Sequence, residues 1–493
     1  MAHLLRTTTR LAHARLAPAA RRRRGFAAVP QTVSDDEFQK IKDELTSFMH
    51  DRIYPNEQLF LKQSHESRGK DGREWTHPPL IVDLMVEAKE RGLWNLFLPA
   101  DSAKLAPSGS HLGRGLTNLQ YADLCELMGT SVHFEFAATA CNCASPDTGN
   151  METIARFGNE AQKEKWLSPL LDGSIRSCFA MTEPDVASSD ATNISIDIRD
   201  DGDDFVVNGR KWWCTGAGSL HCKVMILMGK TDPDAKAFAQ QSMLLVDLAS
   251  TDGIELVRPL TVFGDDDAPK GHFELSFTDV RIPKSNVLWQ RGKGFEIAQR
   301  RLGPGRIHHC MRCIGQMERA LSTMAQRAMK RVAFGKPLAA RDSVLEDVAR
   351  IRCEIDGCRH LVREAASLMD LKGNTDLETR QRLSLVKALV PQTLQSIADR
   401  AMQLHGGAGV SGDTPLTTIW ATGRGLRLAD GPDAVHWRKA GQLEFERQRS
   451  SPLAPYGSYA PSRDAPSFRS TTDPLSAEAA AFLVEFEALM KSS

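Results

Sequence analysis

The sequence predicts an α+β protein made of three domains in series: a helical domain, a β-domain and a helical bundle. Three observations carry this. Apolar residues recur at helical spacing up to about residue 175, alternate with polar ones after Ser177, and return to helical spacing from Gly294. Strand-like and helix-like segments are segregated, so no βαβ alternation is expected. No Gly-x-Gly-x-x-Gly follows a strand, which argues against a Rossmann nucleotide domain.

The first domain spans 34–175. Ser34 and Glu37 have the spacing of a capping box. Phe38, Ile41, Leu45 and Phe48 then mark one face of a helix, which Pro55 is expected to end. Residues 80–93, 116–128 and 161–171 continue the helical pattern. The β-domain spans 176–290 and is expected to be a barrel or sandwich. Ile194, Ile196 and Ile198 alternate with polar residues. Phe205-Val206-Val207 and Lys211-Trp212-Trp213 flank Asn208-Gly209, which reads as the tight turn of a hairpin. Residues 224–228, 243–246, 254–257 and 273–277 supply further strands. The bundle spans 291–447, with helices at 294–332, 341–371, 376–405, 413–427 and 434–447, packed antiparallel.

The two ends differ from the body. Residues 1–34 hold seven arginines, no lysine and no acid. Taking them away leaves 55 basic residues (62 less 7) against 62 acidic ones. An Arg-rich, acid-free N-terminus reads as a mitochondrial presequence over 1–30, so the matrix is the expected location. Residues 448–474 are rich in Ser and Pro and read as a linker. Phe482, Leu483, Phe486, Leu489 and Met490 then give 475–491 one apolar helical face. With zero formal net charge, nucleic acid is not an expected partner. There is no apolar run long enough for a transmembrane segment. The ten cysteines lack zinc-finger spacing and read as reduced core thiols, with no metal site expected.

Chemistry concentrates in 178–193. A short apolar run gives way at Pro184 to a loop rich in hydroxyls and acids, whose free N–H groups and Ser188, Ser189 and Thr192 hydroxyls suit a phosphate or a heteroaromatic edge. The pair Trp212-Trp213 offers a stacking face and Thr215 a donor, which are the needs of a flavin. Adjacent strand residues point opposite ways, so one tryptophan should be ordinary core or interface.

Thr182-Glu183-Pro184, Ser189-Asp190 and Asn208-Gly209-Arg210-Lys211-Trp212-Trp213-x-Thr215 resemble the acyl-CoA dehydrogenase family, over roughly 33–447. Residues 146–152, 302–310 and 428–433 are similar to a branch of vertebrate and fungal members often fused behind a kinase-like domain, a domain not expected within this chain. The resemblance implies an N-terminal α-helical domain, a middle β-barrel and a C-terminal four-helix bundle, with FAD as cofactor. It implies that Phe179, Met181 and Thr182 line the flavin ring, that Ser188 and Ser189 approach pyrophosphate or acyl-CoA, and that Trp213, Cys214 and Thr215 flank the isoalloxazine. It further implies that Arg331, Phe334, Gln403, Gly406 and Gly407 reach the nucleotide of a neighbouring subunit, making a homodimer or homotetramer. Asp433 is assigned to the cofactor, and Ser189, Arg306 and Gly431 to the substrate.

The catalytic base is where this sequence departs from its relatives. Most family members carry a glutamate in Tyr-Glu-Gly-Thr; here the stretch is Ala429-Asp430-Gly431-Pro432. Some relatives place the base just before the bundle arginine, but that position is Gly305. Asp430 is the candidate, about 1.5 Å shorter in reach. Of His308 and His309, at most one faces the site, where it would suit a polar or anionic group on the acyl chain. The resemblance implies α,β-dehydrogenation of acyl-CoA in fatty acid β-oxidation, with electrons passing to an electron-transferring flavoprotein. Two alternatives stand beside it: a nitroalkane oxidase-like enzyme using oxygen, and a non-catalytic flavin-holding scaffold.

Overall fold

The computed structural model describes residues 33–69 and 74–450, together with 477, 480, 481 and 484. The expected presequence lies outside them, as does most of the linker and of the C-terminal helix. Of the last, Ala477, Ala480, Ala481 and Val484 are helical and exposed. Residues 448–450, expected in the linker, are instead the end of a helix. The chain divides into two compact units, Met1–Ala440 and Gly441–Ser493. Within the second, Glu444 and Arg447 pair one turn apart at 2.6 Å.

In the first unit the main N-terminal helices are α1 (Asp35–Phe48), α2 (Glu57–Glu66), α3 (Pro79–Glu90), α4 (Asn118–Gly129) and α5 (Asp147–Phe157), joined by shorter turns. Ser34 caps α1 by accepting from the Glu37 N–H at 3.2 Å. Pro55 does not end the helical path. It sits at the start of a 3₁₀ turn, where a missing N–H costs nothing, and α2 resumes two residues later. Segment 161–171 breaks into a π turn between two short helices.

The middle of the chain is one seven-stranded sheet: β1 (Arg176–Ala180), β2 (Asp197–Asp201), β3 (Asp204–Thr215), β4 (Cys222–Lys230), β5 (Gln241–Asp247), β6 (Ile254–Leu260) and β7 (His272–Pro283). The order is β1-β4-β2-β3-β7-β6, with β5 paired to β4. This half-barrel excludes the sandwich reading. The hairpin expected at Asn208-Gly209 is not a turn. The turn lies earlier, at Gly202 (φ 62°), and β3 runs through Asn208-Gly209 as a bulge. Gly209 is needed there because a Cβ would stand 2.7 Å from Ile196. Asn208 instead bonds across the sheet to Asp279, donating from Nδ2 at 3.0 Å and accepting from the Asp279 N–H at 2.8 Å.

The bundle consists of α6 (Gly294–Lys330), α7 (Asp342–Lys372), α8 (Leu377–His405), α9 (Leu416–Leu426) and α10 (Asp433–Ser450), with a small hairpin of β8 (Val332–Ala333) and β9 (Lys336–Pro337) between α6 and α7. One core joins the N-terminal helices to the bundle through residues such as Phe48, Tyr121, Met151, Ile314, Val386 and Ile397. A second lies inside the sheet around Cys178, Phe205, Val207, Cys214 and Phe277. Nine of the ten cysteines are buried and free; Cys353 is exposed rather than core. No group of metal-ligating side chains forms among the described residues, and no described helix is long and apolar enough to cross a membrane.

Candidate active site

Three elements converge on Asp430: α6, α8 and the corner between α9 and α10; β1 and its neighbour α5 reach it through Arg301 of α6. Asp430 sits at φ 54° and Gly431 at φ 106°. A non-glycine residue in the left-handed region is uncommon and costs backbone energy. The corner is fixed through the Asp430 carbonyl, which accepts from Arg306 Nε at 3.3 Å and His436 Nε2 at 3.1 Å. Gly431 admits that histidine, because a Cβ there would lie 2.7 Å from His436 Nε2.

The carboxylate of Asp430 is 21% exposed and turns inward, with Oδ2 3.5 Å from His309 Nε2. Burial alone would raise its pKa. His309 when protonated, with Lys387, Arg306 and Arg301, outweighs burial and holds the carboxyl below the usual aspartate range. His309 is driven toward its neutral form by burial, against the pull of Asp430 and Glu135. Its ring stacks on Phe134, centroids 5.8 Å apart. His308 points elsewhere, edge-on to Tyr121 in the core at 4.6 Å. Of the histidine pair, only His309 belongs to the site.

Arg301 was not foreseen. Its Nε donates to Asn150 Oδ1 at 3.0 Å, and its guanidinium lies 3.9 Å over the Phe179 ring. Burial pushes its pKa down to about 10, so it stays charged at neutral pH. This explains the 146–152 stretch: Asn150 Nδ2 also donates to Ser177 Oγ at 2.9 Å, and Asp147 Oδ1 accepts from the Ser177 N–H at 2.8 Å. The motif ties β1 to Arg301, and Arg301 links Phe179 to the field around Asp430.

On the sheet side, Thr182 and Trp212 exchange bonds: Thr182 Oγ1 donates to the Trp212 carbonyl at 2.7 Å, and the Trp212 N–H donates back at 3.1 Å. Neither tryptophan is core. A bulge between Lys211 and Cys214 breaks the alternation, Trp213 takes φ 56°, and its indole is 39% exposed. An aromatic face left open on a sheet fits a flat ring. Thr215 Oγ1 lies 2.9 Å from His272 Nδ1. Cys214 corrects the sequence reading, since its side chain is wholly inside the sheet core and only its backbone can face a ligand. Ser188 is used within its own loop, its Oγ accepting from the Glu183 N–H at 2.9 Å, whereas Ser189 is exposed. Met181 is half-buried against the core.

The residues assigned to a neighbouring subunit lie at one end of the bundle, where Arg327 Nη2 donates to the His405 carbonyl at 3.5 Å and joins the ends of α6 and α8. Phe334, at the tip of the β8–β9 hairpin, has φ 51° and is 96% exposed. Arg331, Gln403, Gly406 and Gly407 are exposed as well. Asp433 does not match its assignment to a cofactor. Its Oδ2 accepts from Arg427 Nε at 2.6 Å and Gln392 Nε2 at 2.9 Å, inside the fold.

A helical domain, a half-barrel and a helical bundle meeting at an ionised, inward-facing carboxylate define a flavoenzyme-type dehydrogenase architecture. The descriptions "Acyl-CoA dehydrogenase" N-terminal, middle and C-terminal domain match residues 35–174, 178–280 and 292–442, and the chain belongs to the acyl-CoA dehydrogenase family. It is 50% identical over 424 residues to probable acyl-CoA dehydrogenase IBR3 of Arabidopsis thaliana, covering 83% of this chain and 50% of that protein. It is 48% identical to acyl-CoA dehydrogenase family member 10 of Mus musculus, covering 86% of this chain and 38% of that protein. The chain therefore spans half the length of these relatives or less. Against probable acyl-CoA dehydrogenase FadE2 of Mycobacterium tuberculosis the identity is 48%, over 83% of this chain and 96% of that one. A putative acyl-CoA dehydrogenase from Mycobacterium abscessus has a similar structure, with a TM-score of 0.77 at 44% identity, covering 84% of this chain and 99% of that one. Butyryl-CoA dehydrogenase from Megasphaera elsdenii shares the fold at a TM-score of 0.68 and 24% identity, over 84% and 99% of the two chains.

Proposed function

We propose that this chain is an FAD-dependent acyl-CoA dehydrogenase that converts acyl-CoA thioesters to trans-2-enoyl-CoA, with Asp430 as the base. The observation that carries this reading is the state of Asp430: a carboxylate turned inward and held ionised by the cations around it. A base must be deprotonated before it can take the α proton. FAD, when bound, supplies the acceptor for the hydride that leaves the β carbon. Trp213 and Phe179 offer the aromatic surfaces that would hold its ring, and Thr215 a hydroxyl at the edge. Arg306 and Arg301 bring positive charge to the site where the thioester enolate would develop, and the Asp430 N–H would serve as a backbone donor for its oxygen.

The reading extends to fatty acid β-oxidation in the mitochondrial matrix, with an electron-transferring flavoprotein as acceptor. It includes a homodimer or homotetramer in which Phe334, Arg331 and Gln403 meet the neighbour's nucleotide. The near-complete exposure of Phe334 supports that last point.

Anaerobic bleaching of the bound flavin by a panel of acyl-CoAs tests the reaction. Asp430→Asn should retain the flavin and lose roughly 10²–10⁴-fold in bleaching rate. Hydrogen peroxide released from nitroalkanes without added acceptor would instead favour the oxidase reading. Full function of Asp430→Asn in cells would favour the scaffold.

A further inference from the structure

Lys387 lies in the middle of α8 with no exposed surface. A buried ammonium is costly unless it is paired. Lys387 has little to offset that cost. Its Nζ donates to the carbonyl of Leu426 at 2.5 Å, and among the described residues it forms no ion pair within 4.0 Å. Leu426 is the last residue of α9, and four residues on the chain reaches Asp430. The ammonium therefore caps the helix that delivers the catalytic corner, where a cation is favoured by the unpaired carbonyls.

The groups facing Asp430 come from every element around it: Arg301, Arg306 and His309 from α6, Lys387 from α8, and His436 from α10, which touches only the carbonyl. Those facing Lys387 are Asp430, Cys310, Arg306, Cys313, His309 and His436. Arg306 and His309 line the site and are partly exposed, so a substrate can engage them. Lys387 has no surface a substrate can reach.

We propose that Lys387 is a positioning residue for Asp430: from behind the site it pins the end of α9 and holds a positive charge behind the corner whether or not substrate is bound. This rests on the assignment of Asp430 as the base. It also means that a stability cost is kept for the sake of the site, since replacing a poorly paired buried charge with an apolar group is often neutral or stabilising.

The test uses the flavin-loaded enzyme with Lys387→Met, which removes charge and hydrogen bond, and Lys387→Gln, which removes the charge but retains a donor. The readouts are the pH profile of kcat/KM, the split between kcat and KM, and the melting temperature. Both variants should move the acid limb of kcat/KM upward by about one pH unit. They should lower kcat at about pH 4.5 more than they raise KM, and Lys387→Met should melt at or above the wild-type temperature. Acid limbs that overlay the wild type overturn the proposal, as does a lowered melting temperature in both variants with an unmoved profile, which is the mark of a merely structural lysine. If Lys387→Met does not fold, Lys387→Gln decides alone. If neither folds, the charge is needed for the fold itself and the proposal is overturned. A wild type that no acyl-CoA bleaches defeats the dehydrogenase reading instead, so the two failures are distinguishable.

Discussion

Glu183 Oε1 and Lys211 Nζ lie 2.8 Å apart with almost no exposed surface, and the same carboxylate accepts the N–H groups of Ser195 and Ile196. Lys211 Nζ also donates to the Met181 carbonyl at 2.7 Å. One ion pair thus fixes three stretches that surround the proposed flavin face: the end of β1, the loop after Pro184 and the middle of β3.

Glu183→Gln should destabilise the protein by about 3 kcal/mol, because it leaves a buried ammonium without its partner. Burial raises the carboxyl's pKa, but Lys211 and the two N–H groups more than offset this, so the folded value lies below the unfolded one. The stabilisation is therefore present above the unfolded carboxylate value and is lost as pH falls through the folded one. Melting curves of the wild type and the variant should differ most near neutrality and converge in acid.

Trp213→Ala should leave the melting temperature of the flavin-free protein within a degree or two, since the indole is 39% exposed and adds little to the core. FAD retention should fall roughly tenfold, the worth of one aromatic stacking contact. Equilibrium dialysis of the reconstituted protein measures this directly.

Gly431→Ala forces a Cβ to within 2.7 Å of His436 Nε2, at a φ of 106° that L side chains rarely adopt. The expected cost is about 1–3 kcal/mol, with a larger loss in kcat than in KM as the corner shifts. Crystallography of the variant should show the Asp430 carbonyl displaced from His436.

The acid limb of kcat/KM in the wild type should lie below the ordinary aspartate value of about 3.9, because the surrounding cations lower the carboxyl's pKa. Activity that depends on this base should then be flat from about pH 5 through neutrality. A limb near pH 6 would assign the proton transfer to another group.

The parts of the fold set by local periodicity were legible. The five bundle helices begin and end within a few residues of where the apolar pattern changes. The misread points are those where tertiary contacts override a local signal. Asn208-Gly209 has the chemistry of a turn, but Gly209 is needed for a close approach to Ile196 and Asn208 for a bond to Asp279. The tandem tryptophans break alternation because a bulge separates two buried residues, Lys211 and Cys214. In the site, Asp430 and Arg306 could be assigned by resemblance to a motif. Arg301, Asn150 and Lys387 could not, because their roles depend on contacts between residues far apart in the chain. Asn150 entered the sequence reading only as part of the 146–152 stretch that resembles one branch of the family.

The left-handed backbone at 430 bears on which acid the corner can hold. Aspartate visits that conformation several-fold more readily than longer side chains do. Lengthening it to glutamate would add reach toward the substrate but would load a bend already held at a conformational cost. The shorter acid is the one this bend accommodates with least strain, so the acyl group must come to the base rather than the base to the acyl group.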